Sequence, residues 1–337
     1  METNTPLAVI ILAAGKGTRM KSNRAKVLHE VFYRPMLHYV LDAAAHLQPD
    51  RTIVIVGHQK EAVENILGGY QVTCCEQAEQ NGTGHAVLCA RPALNGFAGD
   101  VMILCGDTPL LLPEHLAAMR DSHRARNSRL TIMTTTLETP TNYGRIISDE
   151  DGRVRAVAEE KDATEAQRQI RVINAGIYIA DAAFLFDALL RVTTDNSQKE
   201  MYLTDIVKIG VDDGLAVETY EHPYPLHVLG VNSKIELAQA HREIRQRRNI
   251  GLMAGGVTMH DPDTIAVAPT VGIGSACRLT AQITITGTSS IGDGCLIGPG
   301  VHIDNALIGN AVEIGANSVI RNCTIASHHT IEPLTRI

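Results

Sequence analysis

The sequence predicts an α/β chain in two halves: a mostly parallel sheet wrapped by helices, then a long linking helix and a left-handed parallel β-helix. Three observations carry this. Short apolar runs alternate with helical patterns from residue 7 to about 232. Charged residues crowd the helical stretch that starts at Ser233. Beyond Pro262, aliphatic side chains return every six positions. A chain of 337 residues also exceeds one average domain, so two are expected.

In the first half, Leu7–Leu12, Thr52–Val56, Val101–Leu104, Leu130–Thr135 and Ala175–Ile179 read as strands. Met36–His46, Lys60–Leu67, Gly84–Ala93 and Pro113–Arg124 read as the helices between them. Alternation of this kind implies right-handed crossovers and a Rossmann-like sheet, with ligands at the C-terminal ends of the strands. Leu12, Asp107 and Asn174 are expected at or near such ends. Ser233 is a good N-cap, and Ile235, Leu237, Ala240, Ile244 and Leu252 lie among many charges, which predicts a mostly solvated helix to about residue 254.

In the last part, Ile273, Leu279, Ile285, Ile291, Ile297 and Ile303 are six apart; Ile308, Ile314, Ile320, Ile325 and Ile331 continue the series with two five-residue slips. Gly follows the aliphatic at Ile273, Ile291, Ile297, Ile308 and Ile314. A six-residue face pointing one aliphatic inward, with Gly allowing the corner, fits a left-turning β-helix of hexapeptide repeats. The sequence stops at Ile337 without an obvious polar cap, so the expectation is that either a partner surface covers the open edge or the natural protein continues. Prisms of this kind pack side by side in threes, and a homotrimer is the expectation.

Composition excludes several classes. A net charge of −7 and a pI near 6.0 argue against a general nucleic-acid surface. Hydrophobic content is 45% with a mean hydropathy of 0.00, yet no run approaches the roughly 18–20 apolar residues of a membrane helix. Seven scattered cysteines without C-x-x-C spacing, and an N-terminus without a signal-peptide pattern, predict reduced thiols and a cytoplasmic protein. The pair His328-His329 reads as solvated rather than metal-binding.

The most informative run is Leu12-Ala13-Ala14-Gly15-Lys16-Gly17-Thr18-Arg19-Met20, with Lys26 shortly after. An apolar strand feeds a turn of small residues, where backbone N–H groups can approach a ligand and three cations can neutralise phosphate. It is not the dinucleotide fingerprint, because Met20 stands where a third Gly or Ala is needed. It is not a Walker A loop either, for no Gly-Lys-Ser/Thr follows. Strand, turn and cations together read as a nucleoside triphosphate site.

Further blocks follow in order: Gln77-Ala78-Glu79-Gln80-Asn81-Gly82-Thr83-Gly84-His85-Ala86, Gly106-Asp107-x-Pro109-Leu110, Tyr143-Gly144-Arg145, Glu159-x-Lys161-Asp162-Ala163-Thr164, Ile173-Asn174-x-Gly176, Tyr202-Leu203-Thr204-Asp205 and Gly230-Val231-Asn232. With the arm helix and six-residue repeat behind them, these blocks resemble the bacterial bifunctional N-acetylglucosamine-1-phosphate uridyltransferase/glucosamine-1-phosphate acetyltransferase family along the whole length. The resemblance implies a sugar nucleotidyltransferase domain over residues 1–232, an arm and linker over 233–260, and a short β-helix over 261–337.

It also implies the site. Uridine would lie against Leu12, Ala13, Ala14 and Gly15, read by Gln77, Gly82 and Thr83, with ribose near Cys105, Gly106 and Asp107. Gln offers both a donor and an acceptor to a uracil edge. Gly144, Glu159, Asn174 and, less directly, Thr204 would hold N-acetylglucosamine. Asp107 and Asn232 would hold Mg²⁺, a hard ion that takes few protein ligands. Arg19 and Lys26, with Lys16 assisting, would take up phosphate charge. Taken singly, Asp107 could be a turn residue, Glu159 a solvated one, Gln77 a surface one and Asn174 a satisfied strand-end amide; their joint order decides.

The implied reaction joins UTP and N-acetylglucosamine 1-phosphate into UDP-N-acetylglucosamine and pyrophosphate. Acetyl transfer is not expected, since the later turns that carry it in relatives lie beyond Ile337. Ala25, Cys105, Ala175 and Met201 depart from the family's usual Pro, Tyr, Thr and Tyr, but none removes a charge or a metal ligand. The rival readings are another sugar 1-phosphate or dTTP as substrate, a trimeric scaffold that binds nucleotide sugar without turnover, and a stand-alone prism acyltransferase, which the absent later turns disfavour.

Overall fold

Strand β1 (Leu7–Leu12) alternates its side chains between two buried faces, which only the centre of a doubly covered sheet permits. In the computed structural model, which describes residues 5–337, it does occupy that place. The two-residue strands β2 (Glu30–Val31) and β3 (Arg34–Pro35) precede β4 (Arg51–Val56), β5 (Thr73–Glu76), β6 (Asp100–Cys105), β7 (Leu130–Thr136), β8 (Arg145–Ser148), β9 (Val154–Ala158), β10 (Val172–Asp181) and β11 (Val217–Glu221). The main sheet runs β11-β7-β10-β6-β1-β4-β5, and β8 with β9 adds a hairpin beside β10.

Helices cover both faces. Val9 and Ile11 pack against α1 (Met36–Ala45), α2 (Lys60–Asn65) and α4 (Pro113–Ala125). Ala8 and Ile10 share a core with α3 (Thr83–Leu88), α6 (Ala182–Arg191) and α7 (Asp205–Asp212). The short helices α5 (Glu165–Arg168) and α8 (Pro225–Val228) lie in the connections.

Two sequence expectations need correction. β10 pairs antiparallel with both β6 and β7 in an otherwise parallel main sheet. Asn174 therefore lies near the N-terminal end of its strand, not the C-terminal end; reversal of the strand brings that end to the same rim as Leu12 and Asp107. The helix read over Gly84–Ala93 stops at Leu88 and is followed by a separate 3-10 turn, Arg91–Leu94, with Pro92 inside it.

Contacts divide the chain into one unit of Arg34–Glu236 with the residues up to His29, and a second of Leu237–Ile337 with Glu30–Tyr33. Helix α9 (Lys234–Ala254) opens as its sequence requires, with Ser233 Oγ accepting from Glu236 N at 3.2 Å. Its Ile235 is 74% exposed, whereas Ala240, Ile244 and Asn249 are buried. Asn249 is the polar anchor that the apolar pattern did not reveal: its amide donates to the carbonyls of Pro262 and Ile265 at 2.8 and 2.9 Å.

The C-terminal strands form three parallel ladders, those of Met259-Leu279-Ile297-Ile314-Ile331, Val267-Ile285-Ile303-Ile320 and Ile273-Ile291-Ile308-Ile325. This is the left-handed parallel β-helix, and its core is these aliphatics. The glycines after them do not make the corners. Left-handed backbone falls two positions later, at Gly294, Gly300, Ala311 and Asn317 among others. Glycine after the aliphatic answers a different need, the stacking of coils: a Cβ at Gly309 would stand 2.6 Å from Ser327 N, and one at Gly315 2.4 Å from Pro333 N. Among the described residues all seven cysteines are free, and no helix is long and apolar enough to cross a membrane.

Candidate active site

The turn after β1 is held from outside. Ala13 N donates to Ile55 O at 2.9 Å, and Ala14 O accepts from His58 N at 3.1 Å and from the Gln80 amide at 3.0 Å. Gly17 takes φ +65, and a Cβ there would meet Lys26 Cβ at 2.5 Å, so only glycine lets the lysine stem pass. Met20 is fully buried: the residue that breaks the dinucleotide fingerprint is a core anchor.

Lys26 opens the 3-10 turn Lys26–Leu28, whose Val27 and Leu28 are buried. Its Nζ pairs with Asp107 Oδ2 and donates to Asn232 Oδ1 at 2.6 Å. Arg19 Nη2 donates to the same Asn232 oxygen at 2.8 Å. Asp107, two residues past β6, is tied to the Asn232 segment by Val231 N, which donates to Asp107 O at 2.8 Å. Asn232 N in turn donates to Glu236 Oε2 at 2.6 Å.

Two cavities meet here. One of about 520 Å³ is lined by Leu12, Ala13, Ala14, Gly15, Lys16, Arg19, Lys26, Gln77, Gly82, Thr83 and Cys105. Another, of about 210 Å³, is lined by Gly144, Glu159, Asn174 and Thr204. Leu12, Arg19, Thr83, Cys105, Asp107 and Asn232 belong to both, so the cation cluster stands at their seam. Every residue the sequence nominated faces one of the cavities except Gly106, whose N donates to Leu12 O at 2.9 Å and whose task is to join the two strand ends.

Gln77 is 4% exposed and its amide donates to Gly82 O at 2.9 Å, so its side chain is held in one orientation at the larger cavity. Gly82 is required by the chain itself: at φ +105 its Cβ would stand 2.4 Å from Met201 O. In the smaller cavity, Thr204 Oγ1 donates to Glu159 Oε1 at 2.9 Å. Burial pushes the Glu159 carboxyl above its ordinary range against that hydrogen bond, with Asp205 and Asp162 adding to the push. Asn174 donates to Tyr178 Oη at 2.6 Å and accepts from Gly176 N at 2.9 Å, which uses one of its two N–H donors and one lone pair and fixes its orientation. Burial raises the Cys105 thiol to about 12, which keeps it neutral.

Sequence reasoning missed Gln80, Tyr143 and Tyr178. Gln80 and Tyr143 stood inside recognised blocks without a role; Tyr178, four positions after Asn174 and so on the same face of the strand, was read only as part of an apolar strand.

A doubly wound sheet with a cation-bearing turn over paired cavities, joined to a hexapeptide β-helix, defines a nucleotidyltransferase carrying a hexapeptide prism. Residues 9–203 match the MobA-like NTP transferase domain, and residues 288–322 the bacterial transferase hexapeptide (six repeats). The chain is 47% identical to the bifunctional protein GlmU of Desulfotalea psychrophila over 331 residues, 98% of each protein. It is 42% identical to that of Geotalea uraniireducens over 98% of this chain and 73% of the relative. With that of Corynebacterium aurimucosum it shares 39% identity, over 99% of this chain and 69% of the relative. The chain belongs to the family of the bifunctional protein GlmU. It is a sugar-1-phosphate nucleotidyltransferase that makes UDP-N-acetylglucosamine by uridyltransfer.

The family uses a divalent metal ion, and the residues present fit one. The Lys26 ammonium already bridges the Asp107 carboxylate and the Asn232 amide oxygen, so the structure itself places a cation between two hard oxygen donors.

Proposed function

We propose that uridyltransfer occurs at the seam of the two cavities, UTP entering the larger and N-acetylglucosamine 1-phosphate the smaller. The observation that carries this is the meeting of Lys26, Asp107, Asn232 and Arg19 where the two cavities join. The sugar phosphate oxygen attacks the α-phosphorus in line and pyrophosphate leaves. That oxygen is already anionic, so no general base is needed, and the barrier lies in bringing two anions together.

Each residue then has a task. Leu12 to Gly15 bed the nucleoside, and Gln77 with Gly82 and Thr83 reads the uracil edge. Lys26 and Arg19 neutralise triphosphate charge, with Lys16 at the rim. Glu159 accepts from sugar hydroxyls, beside Gly144, Asn174 and Thr204. Asp107 and Asn232 hold Mg²⁺, which when bound supplies charge neutralisation across the reacting phosphates. We assign residues 1–232 to this activity, 233–260 to an arm, and 261–337 to a prism that assembles a homotrimer, with the whole protein acting in the cytoplasm.

The test is a pyrophosphate-release assay of the full chain. Turnover with UTP and N-acetylglucosamine 1-phosphate, dependent on Mg²⁺ and lost in Lys26→Ala, supports the assignment. Preference for dTTP or glucose 1-phosphate would overturn it.

A further inference from the structure

Outside the residues that line the two cavities, three histidines from separate segments converge. His115 lies in the first turn of α4, His222 directly follows β11, and His227 lies in α8. The His115 and His222 rings are 4.1 Å apart at their centroids and nearly perpendicular; His227 is 5.4 Å from His115 and 5.7 Å from His222. One nitrogen from each ring lies within 4.8 Å of the other two. Hydrophobic packing seldom gathers three imidazoles, and two of these have their own chain breakers, Pro113 and Pro225, placing them.

His222 is the fixed member. It is 2% exposed, and its backbone is clamped by Thr134 O, which accepts from His222 N at 2.7 Å, and by Thr135 Oγ1, which donates to His222 O at 2.8 Å. Its Nδ1 lies 3.0 Å from Tyr224 O, to which it can donate, and 3.1 Å from Tyr224 N, from which it can accept. The tautomer that donates this Nδ1–H to the carbonyl leaves Nε2 as a lone-pair donor, the arrangement typical of metal-ligating histidine. Nε2 is buried and meets no hydrogen-bond partner among the described residues. A buried imidazole nitrogen without a partner costs free energy unless something occupies its lone pair.

We propose that His115, His222 and His227 bind a transition-metal ion of the zinc class, at a site separate from the one on Asp107 and Asn232. The donor chemistry selects the ion: three neutral nitrogens and no carboxylate suit zinc and its neighbours rather than magnesium or calcium. His115 and His227 are half-buried, so the cluster lies within reach of solvent.

The placement gives the site a purpose. His115 follows Asp107 by eight positions and His227 precedes Asn232 by five. An ion across the three rings ties α4 to the α8 segment, and so braces the two stretches that present Asp107 and Asn232.

The test uses the full chain, stripped with chelator, dialysed and titrated with Zn²⁺. Retention of one ion per chain by elemental analysis is expected, together with a raised Tm that millimolar Mg²⁺ does not reproduce. Loss of a second-sphere partner already weakens metal sites by about 10–100-fold, so His115→Gln and His227→Gln should weaken zinc about 100-fold or more and abolish the Tm rise. Neither ring is in the core, so both variants should fold. Co²⁺ loaded in place of Zn²⁺ should show intense visible d–d bands that the variants lack. No stoichiometric ion, or equal binding by wild type and both variants (an adventitious ion only), would overturn the proposal.

Discussion

Lys26 Nζ lies 2.6 Å from Asn232 Oδ1 across 206 positions of sequence, and the same ammonium pairs with Asp107. Three segments thus meet on one cation: the turn after β1, the end of β6 and the loop before α9. Both oxygens are those assigned to the metal. A divalent ion held by both would displace the ammonium, and Lys26 would then be free to pair with substrate phosphate.

Asp107→Asn should lower kcat by about 10²–10³-fold or more, as loss of a charge-stabilising group does elsewhere. The fold should survive, because Asp107 lies at the cavity seam and its backbone bond to Val231 needs no side chain. Steady-state pyrophosphate release and a circular-dichroism melt decide the matter. A near-normal rate at saturating Mg²⁺ would remove the metal role.

Lys26 and Arg19 should differ in weight. The Lys26 side chain is 14% exposed and touches both oxygens, whereas Arg19 is exposed and donates to one. A hydrogen bond to a charged group contributes about 1.5–3 kcal/mol. Arg19→Ala should therefore cost kcat/KM for UTP roughly tenfold, and Lys26→Ala about a hundredfold or more. Equal effects would mean that the lysine leaves Asp107 for solvent, not for substrate.

Much of this was legible before the fold was known, for physical reasons. Leu7–Leu12 and Val101–Leu104 are apolar runs whose both faces must be buried, so their strands and the rim at Leu12 and Asp107 followed. The six-residue period was equally plain, since each face points one aliphatic inward. β5, with sequence Thr-Cys-Cys-Glu, and the β8–β9 hairpin are short and mixed in polarity, so no apolar pattern marked them. The reversal of β10 was hidden because pairing direction leaves no trace in periodicity. Asn174 reached the site by that reversal, and Tyr178, four positions on along the same strand face, came with it.

The two kinds of prism glycine should respond differently to alanine. Gly309 meets the next coil, with Ser327 N at 2.6 Å from a built Cβ, so Gly309→Ala forces coils apart and should cost about 1–3 kcal/mol. Gly294 has open space but φ +68, so Gly294→Ala should cost about 1–2 kcal/mol from backbone strain alone. Asparagine tolerates that backbone better, and Gly294→Asn should recover part of the loss, whereas Gly309→Asn should be worse than alanine. Chemical denaturation of the full chain gives the order; rescue of Gly309 by asparagine would refute the stacking account.

Glu159 supplies a pH test with a definite sign. Burial raises its carboxyl above the ordinary value, and the Thr204 hydroxyl only partly opposes this. A group whose folded pKa exceeds its unfolded one favours folding in its protonated form. That contribution is full below the unfolded value and is lost as pH rises through the folded one. The unliganded protein should thus lose stability on leaving mildly acid solution for neutral pH. Glu159→Gln keeps the acceptor for Thr204 without the charge, so it should raise Tm at neutral pH, and the gain should vanish in acid. Sugar binding should move the other way: the variant raises KM for N-acetylglucosamine 1-phosphate at neutral pH, and the wild-type KM climbs toward the variant's as pH falls. Melting curves and KM measured over the same pH range give both signs at once. A variant with unchanged KM and an unchanged melting profile would take Glu159 out of the sugar pocket.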